Sequence, residues 1–199
     1  MTTPSRLRQR VQYARASDDV RLAWAESGIG PVVVKAANWL THLEYEWESP
    51  VWRHWIQFFS EHCRLVRYDE RGCGMSEWKS GPLTIEQWAD DLAAIIEAAR
   101  PSEPVTLLGI SQGAAACIAY ATKHPHRVAR MILYGAYARG KFLQGITAGF
   151  GEKRHKAKVH SEFFFEGILV LCADVHDSFQ ESNRLRRCRG RILQILKGE

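Results

Sequence analysis

Apolar and polar positions along the chain form short blocks that predict strands separated by helices. Continuous apolar runs at Val32–Val34 and Val105–Ile110 are typical of strands buried on both faces of a sheet. Thr84–Ala99 carries an apolar stripe at helical spacing, and Gly113–Lys123 predicts a second helix built of small residues. Strands that alternate with helices imply right-handed crossovers. The pattern therefore predicts an α/β fold, a mainly parallel sheet with helices on both faces.

The remaining elements follow from run length and turn residues. A turn at Ser17–Asp19 joins two short strands, and Gly28–Pro31 interrupts the chain after them. Thr84 is the expected N-cap of its helix, because Gln87 stands three residues further on, as in a capping box. The other predicted elements are the strands Val11–Ala14, Val20–Ala25, Arg64–Tyr68, Val128–Tyr134, Gly167–Leu171 and Arg191–Leu196, and the helix Pro50–Ser60.

The segment around Ser111 carries the strongest chemical signal in the sequence. An apolar strand runs into Gly-Ile-Ser-Gln-Gly, and a helix of small residues follows. This is the layout of a nucleophile elbow, which holds a serine hydroxyl on a strained turn between strand and helix. Gly109 and Gly113 are expected there because the backbones pass too close for a Cβ atom. The alternative interpretation is a glycine-rich turn with a solvated serine.

Two further segments, Ala36–Leu40 and Asp69–Gly74, also follow predicted strands directly. In a largely parallel sheet, ligands and reactive groups collect beyond the carboxyl ends of the strands. We therefore expect both segments to share one cleft with Ser111.

Four further segments are distinctive, namely Lys35–Glu44, Trp47–Trp52, Arg67–Ser76 and Leu133–Ala136. With these segments and the predicted elements, the chain resembles the α/β-hydrolase fold family, in its branch with a serine nucleophile. The resemblance covers about residues 10–138. Within that branch the four segments are similar to a bacterial subgroup often joined to nucleotide-cyclase or transcription-regulator modules.

The resemblance implies that Ser111 is the nucleophile and that the backbone N–H of Gln112 is one oxyanion donor. The second donor would come from the loop after the third strand. Many members have His-Gly there, whereas this chain has Ala37-Asn38, which assigns the donor to the N–H of Trp39. No metal or organic cofactor is implied. Ordinary packing at the core and its rim is expected for the tryptophans of this region, namely Trp39, Trp47, Trp52 and Trp55.

A serine nucleophile also needs a base and an acid, and in this fold the acid precedes the histidine along the chain. Asp174 follows the predicted strand Gly167–Leu171, and the resemblance implies that it is the acid. Asp177 is a second candidate because the connection is shorter than in other members. A solvated loop carboxylate is the alternative interpretation for either residue.

The histidine is expected just after a last strand, and this chain stops at or just before that place. None of its eight histidines fits the position well, and His160 or His176 as base would need an unusual topology. The segment where members carry a helical lid is also short. We expect a hydrolase core at 1–140, a remnant or shortened lid at 141–166, and an incomplete C-terminal part of the core at 167–199. A short natural variant, a frameshift and a gene fragment all fit this pattern.

Composition narrows the classes of partner. An apolar content of 46%, a charged content of 25% and no run of about 18 apolar residues predict a globular protein without a membrane span. The N-terminus lacks the apolar core of a secretion signal. The five cysteines show no metal-ligand spacing, so reduced thiols and a cytoplasmic location are expected. The net charge of +5 lies in residues 139–199, and it is interpreted as a solvated face without nucleic-acid binding.

Two functions from different classes fit these observations. The first is a serine hydrolase that acts on a small ester-like or related carbonyl substrate by acyl transfer, with weak or no activity here because the triad histidine is missing. The alternative is a non-catalytic module that binds a small ligand and signals to a regulatory protein partner. A remnant that no longer folds stably is a third interpretation.

Overall fold

The computed structural model describes residues 7–79, 81 and 83–136, and two later strands at 163–165 and 168–174. The described strands form a single eight-stranded sheet. They are β1 (Arg10–Arg15), β2 (Arg21–Ser27), β3 (Val32–Lys35), β4 (Arg64–Tyr68), β5 (Val105–Ile110), β6 (Val128–Ala136), β7 (Phe163–Phe165) and β8 (Ile168–Asp174). The described helices are α1 (Leu43–Glu48), α2 (Arg53–His62), α3 (Ile85–Ala99) and α4 (Gly113–Lys123), with a 3-10 turn at Pro125–Arg127.

The strand order across the sheet is β1-β2-β4-β3-β5-β6-β8-β7. The four central strands, β4, β3, β5 and β6, are parallel, whereas both edges are antiparallel. Parallel pairing of β3, β5 and β6 requires crossovers, and α3 and α4 lie in those connections. The predicted α/β class with a mainly parallel sheet is confirmed.

Helices cover both faces of the sheet because the central strands alternate their apolar side chains between two cores. Val33 belongs to one cluster, which Phe59 of α2 completes. Val34 and Leu107 point into the larger cluster on the other face, with Leu92 of α3 and Cys117 of α4. Each of these side chains is at most 1% exposed. The prediction of helices on both faces is therefore confirmed as well.

Local signals in the sequence explain several boundaries. The capping box of α3 is present, with the Gln87 N–H donating to the Thr84 hydroxyl and the Gln87 amide oxygen accepting from the Thr84 N–H. Strand β6 extends two residues beyond the predicted Tyr134. A register shift lies at this point, where Gly135 adopts a φ of +62°, as in a β-bulge.

Other boundaries differ from prediction. The helix predicted over Pro50–Ser60 is α2, at Arg53–His62, and the six-residue helix α1 was not predicted. Strand β8 runs from Ile168 to Asp174 rather than over Gly167–Leu171, and β7 lies within the segment expected to be a lid remnant. The predicted strand Arg191–Leu196 lies outside the described residues. No helix of the described part is long and apolar enough to cross a membrane.

Candidate active site

Ser111 lies at the carboxyl edge of the sheet, on the turn between β5 and α4. All six residues of β5 are buried, while Ser111 itself is exposed. Its φ is +52°, a left-handed conformation that is uncommon for residues other than glycine. The Ser111 N–H donates to the Tyr134 carbonyl oxygen at 2.9 Å, and its carbonyl accepts from the Ala114 N–H at 3.1 Å. The backbone is thus fixed on both sides while the side chain faces outward.

The two glycines of the elbow allow close backbone approaches. A Cβ atom on Gly109 would lie 2.6 Å from the Cα of Ala114, so the strand and the helix could not pack as they do. A Cβ atom on Gly113 would lie 2.9 Å from the carbonyl oxygen of Ala37. The reason predicted for Gly109 is confirmed. Gly113 instead makes room for the loop that follows β3.

That loop, residues 36–42, is called here the β3–α1 loop. Ala36, Ala37 and Asn38 are buried, and Trp39 is 72% exposed. Trp39 is therefore not a packing residue, in contrast to the expectation for the tryptophan group, whereas Trp47, Trp52 and Trp55 pack against the smaller core. The contact between Ala37 and Gly113 brings the loop against the first turn of α4, as expected of segments that share a cleft.

The loop after β4, residues 69–77, closes the same site from a second side. The Glu70 N–H donates to the Thr41 hydroxyl at 2.8 Å, which joins this β4 loop to the β3–α1 loop. The Gln112 side-chain amide donates to Oε1 of Glu70 at 2.9 Å, which joins it to the elbow. Glu70 is 4% exposed, and burial raises the pKa of its carboxyl. The three segments predicted to share one cleft therefore meet.

A buried ion pair fixes the β4 loop to α3. The Arg71 guanidinium binds both carboxylate oxygens of Asp91, at 2.6 and 2.8 Å, and also reaches Asp18 at 2.7 Å. Arg71 and Asp91 are each 1% exposed. A bidentate arginine–carboxylate pair is directional, so it sets the orientation of the loop as well as its position.

A sequence model of the alpha/beta hydrolase fold family matches residues 43–194. The chain belongs to this family. Two curated relatives are hydrolases by name. One is 2-hydroxy-6-oxo-2,4-heptadienoate hydrolase of Pseudomonas putida, 34% identical over 148 residues, which make up 72% of this chain and 49% of the relative. The other is pyrrolizixenacetamide deacetylase of Xenorhabdus hominickii, 31% identical over 129 residues, or 65% of this chain and 46% of the relative.

Solved structures of alpha/beta hydrolases agree with this assignment. The esterase RhEst1 from a Rhodococcus species is 28% identical with a TM-score of 0.55, over 63% of this chain and 46% of the esterase. A thermophilic esterase from Thermogutta terrifontis is 25% identical with a TM-score of 0.56, over 65% and 47%. This alpha/beta hydrolase chain spans about half the length of the curated relatives it matches.

The structure does not bring Asp174 to Ser111. Strand β8 runs antiparallel to β6, and its register pairs Asp174 with Arg130 near the amino end of β6. Ser111 lies beyond the opposite end, next to Tyr134. Asp177 lies outside the described residues. The assignment of either aspartate as the acid stays a prediction.

Histidines in the described part of this alpha/beta hydrolase take local roles. His42 caps α1, His62 contacts the Phe58 carbonyl oxygen at 2.7 Å, and the His124 ring lies tilted against that of Tyr120. Within the described ranges, no hydrogen bond joins a histidine to Ser111. His160 and His176 lie outside them. No group of three or more metal-binding side chains was found among the described residues.

Sequence reasoning missed Glu70 as a partner of Gln112. Glu70 was included only as part of a segment that follows a strand, and its pairing joins residues 42 positions apart. No local spacing or propensity encodes such a contact. A buried carboxyl that binds the residue next to Ser111 is visible only in the folded chain.

The left-handed backbone at Ser111 predicts an unusual order of stability. Ser111→Gly is expected to be more stable than Ser111→Ala by about 1 kcal/mol, because glycine adopts this φ without the steric cost of a Cβ atom. Urea unfolding of the two variants measures the difference. At Ala115, inside α4, the replacement Ala115→Gly should instead lower the stability by about 1 kcal/mol. Equal stabilities of the two Ser111 variants would contradict a strained elbow.

Proposed function

We propose that this chain carries the nucleophile half of a serine hydrolase that acts on a small ester-like or related carbonyl substrate by acyl transfer. One observation carries the proposal. Ser111 is an exposed serine in a left-handed conformation, between the carboxyl end of a buried parallel strand and the amino end of a helix. That combination presents a hydroxyl to a cleft and is the arrangement of a nucleophile elbow.

The chemistry proceeds in two halves. The Ser111 oxygen forms a bond to the substrate carbonyl carbon while its proton passes to a general base, and the tetrahedral intermediate expels the alcohol, which takes up that proton. Water then bonds to the carbonyl carbon of the acyl-serine and gives a proton to the same base. The bond between that carbon and the Ser111 oxygen breaks, the base returns the proton to this oxygen, and the acid is released. The base would be a histidine oriented by an acid. Asp177 is the proposed acid, and Asp174 could take that role only with a different pairing of β8, since its register with Arg130 places it away from Ser111.

The negative oxygen of the intermediate would be held by two backbone donors. Gln112 is the N-cap of α4, so its N–H lies at the positive end of the helix dipole. The N–H of Trp39 is the proposed second donor, in the β3–α1 loop that contacts Gly113. Preorganised donors of this kind stabilise the transition state because they need no reorientation during the reaction.

Turnover by these 199 residues alone is expected to be weak, because no histidine of the described part contacts Ser111. The substrate class is inferred from the elbow and from the names of the hydrolase relatives. A cytoplasmic location is part of the proposal and is supported by the free thiols Cys63, Cys73 and Cys117. A small-molecule substrate is the partner, without a cofactor.

The test is covalent labelling with a fluorophosphonate, followed by mass spectrometry of the peptides. The expected result is one phosphonyl group on the peptide that contains Ser111, formed slowly relative to a complete esterase. A probe distributed over several surface serines, with none at Ser111, would disprove the proposal. Calorimetry with a ligand panel then separates the alternative, since tight binding without any labelling would favour a non-catalytic sensor module.

A further inference from the structure

A network of buried polar side chains lies beneath the β3–α1 loop. The Lys35 ammonium donates to Oδ1 of Asn38 at 2.6 Å and lies 3.8 Å from Oε1 of Glu46. The other carboxylate oxygen of Glu46 accepts from Arg67 at 2.7 Å, and Arg67 also donates to the Gln9 side chain at 2.7 Å. The exposed fraction is between 2% and 9% in Lys35, Asn38, Glu46 and Arg67. This network thus connects β4, through α1, to the β3–α1 loop.

Such a network is costly to bury, which argues for a specific role. Taking an ammonium and a guanidinium out of water is unfavourable unless partners compensate their charges. Burial lowers the pKa of Lys35, and the Glu46 carboxylate opposes that shift. The Trp52 ring, 5.2 Å from the ammonium nitrogen, adds a cation–π contact. Trp55 and Leu108 line the same space together with Glu46 and Arg67, so the ammonium lies where apolar and charged side chains meet.

The β3–α1 loop needs an anchor of this kind, because its outer part is largely exposed. Trp39 is 72% exposed and Leu40 is 67% exposed. Leu40 also adopts a left-handed φ of +56°, which is unfavourable for a leucine. Asn38 is the last buried residue before this pair, and its side chain holds the loop to Lys35. Thr41, bound to the Glu70 N–H, ties down the other side.

We propose that Lys35 is a positioning residue for the oxyanion hole. Its ammonium, held by Glu46, fixes the Asn38 side chain and thereby aims the next backbone N–H, that of Trp39, toward the carbonyl oxygen bound at Ser111. This inference rests on the proposed function, and it adds a second buried anchor to the one that Glu70 makes with Gln112. A misplacement of about 1 Å in such a donor costs about 100-fold in rate.

The first measurement tests the anchor without any need for activity. Hydrogen–deuterium exchange of the peptide that spans residues 36–42 is compared in the wild-type chain, Lys35→Met and Lys123→Met. Lys35→Met keeps the length of the side chain and removes its donors, while Lys123 is a half-exposed lysine paired with Asp90 on the surface. Faster exchange of this peptide in Lys35→Met alone is expected. Unchanged exchange would overturn the inference.

The second measurement is the saturating rate of fluorophosphonate labelling at Ser111. Lys35→Met and Asn38→Ala are each expected to slow it by about 10- to 100-fold. The double variant should be no slower than either single one, because both remove the same link. Asn38→Asp keeps an acceptor for the ammonium and should label at close to the wild-type rate. Lys123→Met is the matched control and should label normally.

The outcomes separate this inference from the proposed function. Absence of Ser111 labelling in the wild-type chain rejects the serine hydrolase, and the exchange measurement then decides alone whether Lys35 fixes the loop. Faster exchange with an unchanged labelling rate, or additive losses in the double variant, would reject the positioning role. If Lys35→Met does not fold, the contrast between Asn38→Ala and Asn38→Asp provides the same test.

Discussion

Replacement of Ser111 with alanine is expected to abolish phosphonylation of the chain at the elbow, because the substitution removes the oxygen that would bond to phosphorus. The hydroxyl at the elbow is the group that would form the covalent bond. Ser111 is exposed, and within the described residues its hydroxyl has no hydrogen-bond partner, so the substitution removes the nucleophile with little effect on packing. Intact-mass analysis after incubation with the probe measures the loss directly.

Ser102→Ala is the matched control for this experiment. Ser102 is also an exposed serine, but it lies before the amino end of β5, whereas Ser111 follows the carboxyl end. The control should label at the wild-type rate. Residual labelling of Ser111→Ala at an unchanged rate would mean that another side chain is the nucleophile, and the mechanism proposed above would then be wrong.

Replacement of Arg71 with methionine is expected to lower the free energy of unfolding by about 3–5 kcal/mol. Methionine fills part of the volume but leaves the Asp91 carboxylate buried, at 1% exposure, without its bidentate partner. Asp18 loses the same partner at the surface end of the pair. Urea denaturation at neutral pH measures the change in the midpoint at a constant slope.

The surface pair of Arg15 and Asp19 provides the comparison for Arg71. Its two side chains are 63% and 83% exposed, so Arg15→Met should change the stability by less than about 1 kcal/mol. A similar small effect for Arg71→Met would contradict the idea that the β4 loop depends on its buried pair.

The pH dependence of the Arg71→Met variant provides a further check. Burial raises the pKa of Asp91 even in the wild-type chain, where Arg71 opposes the shift. Without Arg71, the folded chain would hold the Asp91 proton more tightly than the unfolded chain does. The stability deficit should therefore shrink as the pH falls toward the pKa of this carboxyl and grow as the pH rises.

The central sheet was predictable because local signals and tertiary structure agree there. Strands β4 and β5 and helix α4 have the predicted boundaries, and Thr84 caps α3 as its sequence indicates. These elements combine a continuous apolar run or stripe with a clear stop residue. Helix α1 escaped prediction because six residues are too few to establish a helical period. The direction of β8 depends on which neighbour it pairs with, which no local pattern specifies.

The candidate site likewise has one part that the local sequence predicts and another part that it does not. Ser111 and its glycines form a local motif, so sequence alone located them. The Glu70–Gln112 bond and the Lys35–Asn38–Glu46 contacts depend on how loops meet in three dimensions, and they were not predicted. The exposure of Trp39 was missed for a related reason, since an aromatic residue beside a buried strand is usually part of the core.

The described contacts around Ser111 come from segments between β3 and the end of β6, including both anchoring loops and the Tyr134 carbonyl. Ser111 is thus supported by a stretch of about one hundred consecutive residues. A consequence is modularity: the segment that follows β6 could be exchanged for another while the geometry at Ser111 stays as it is.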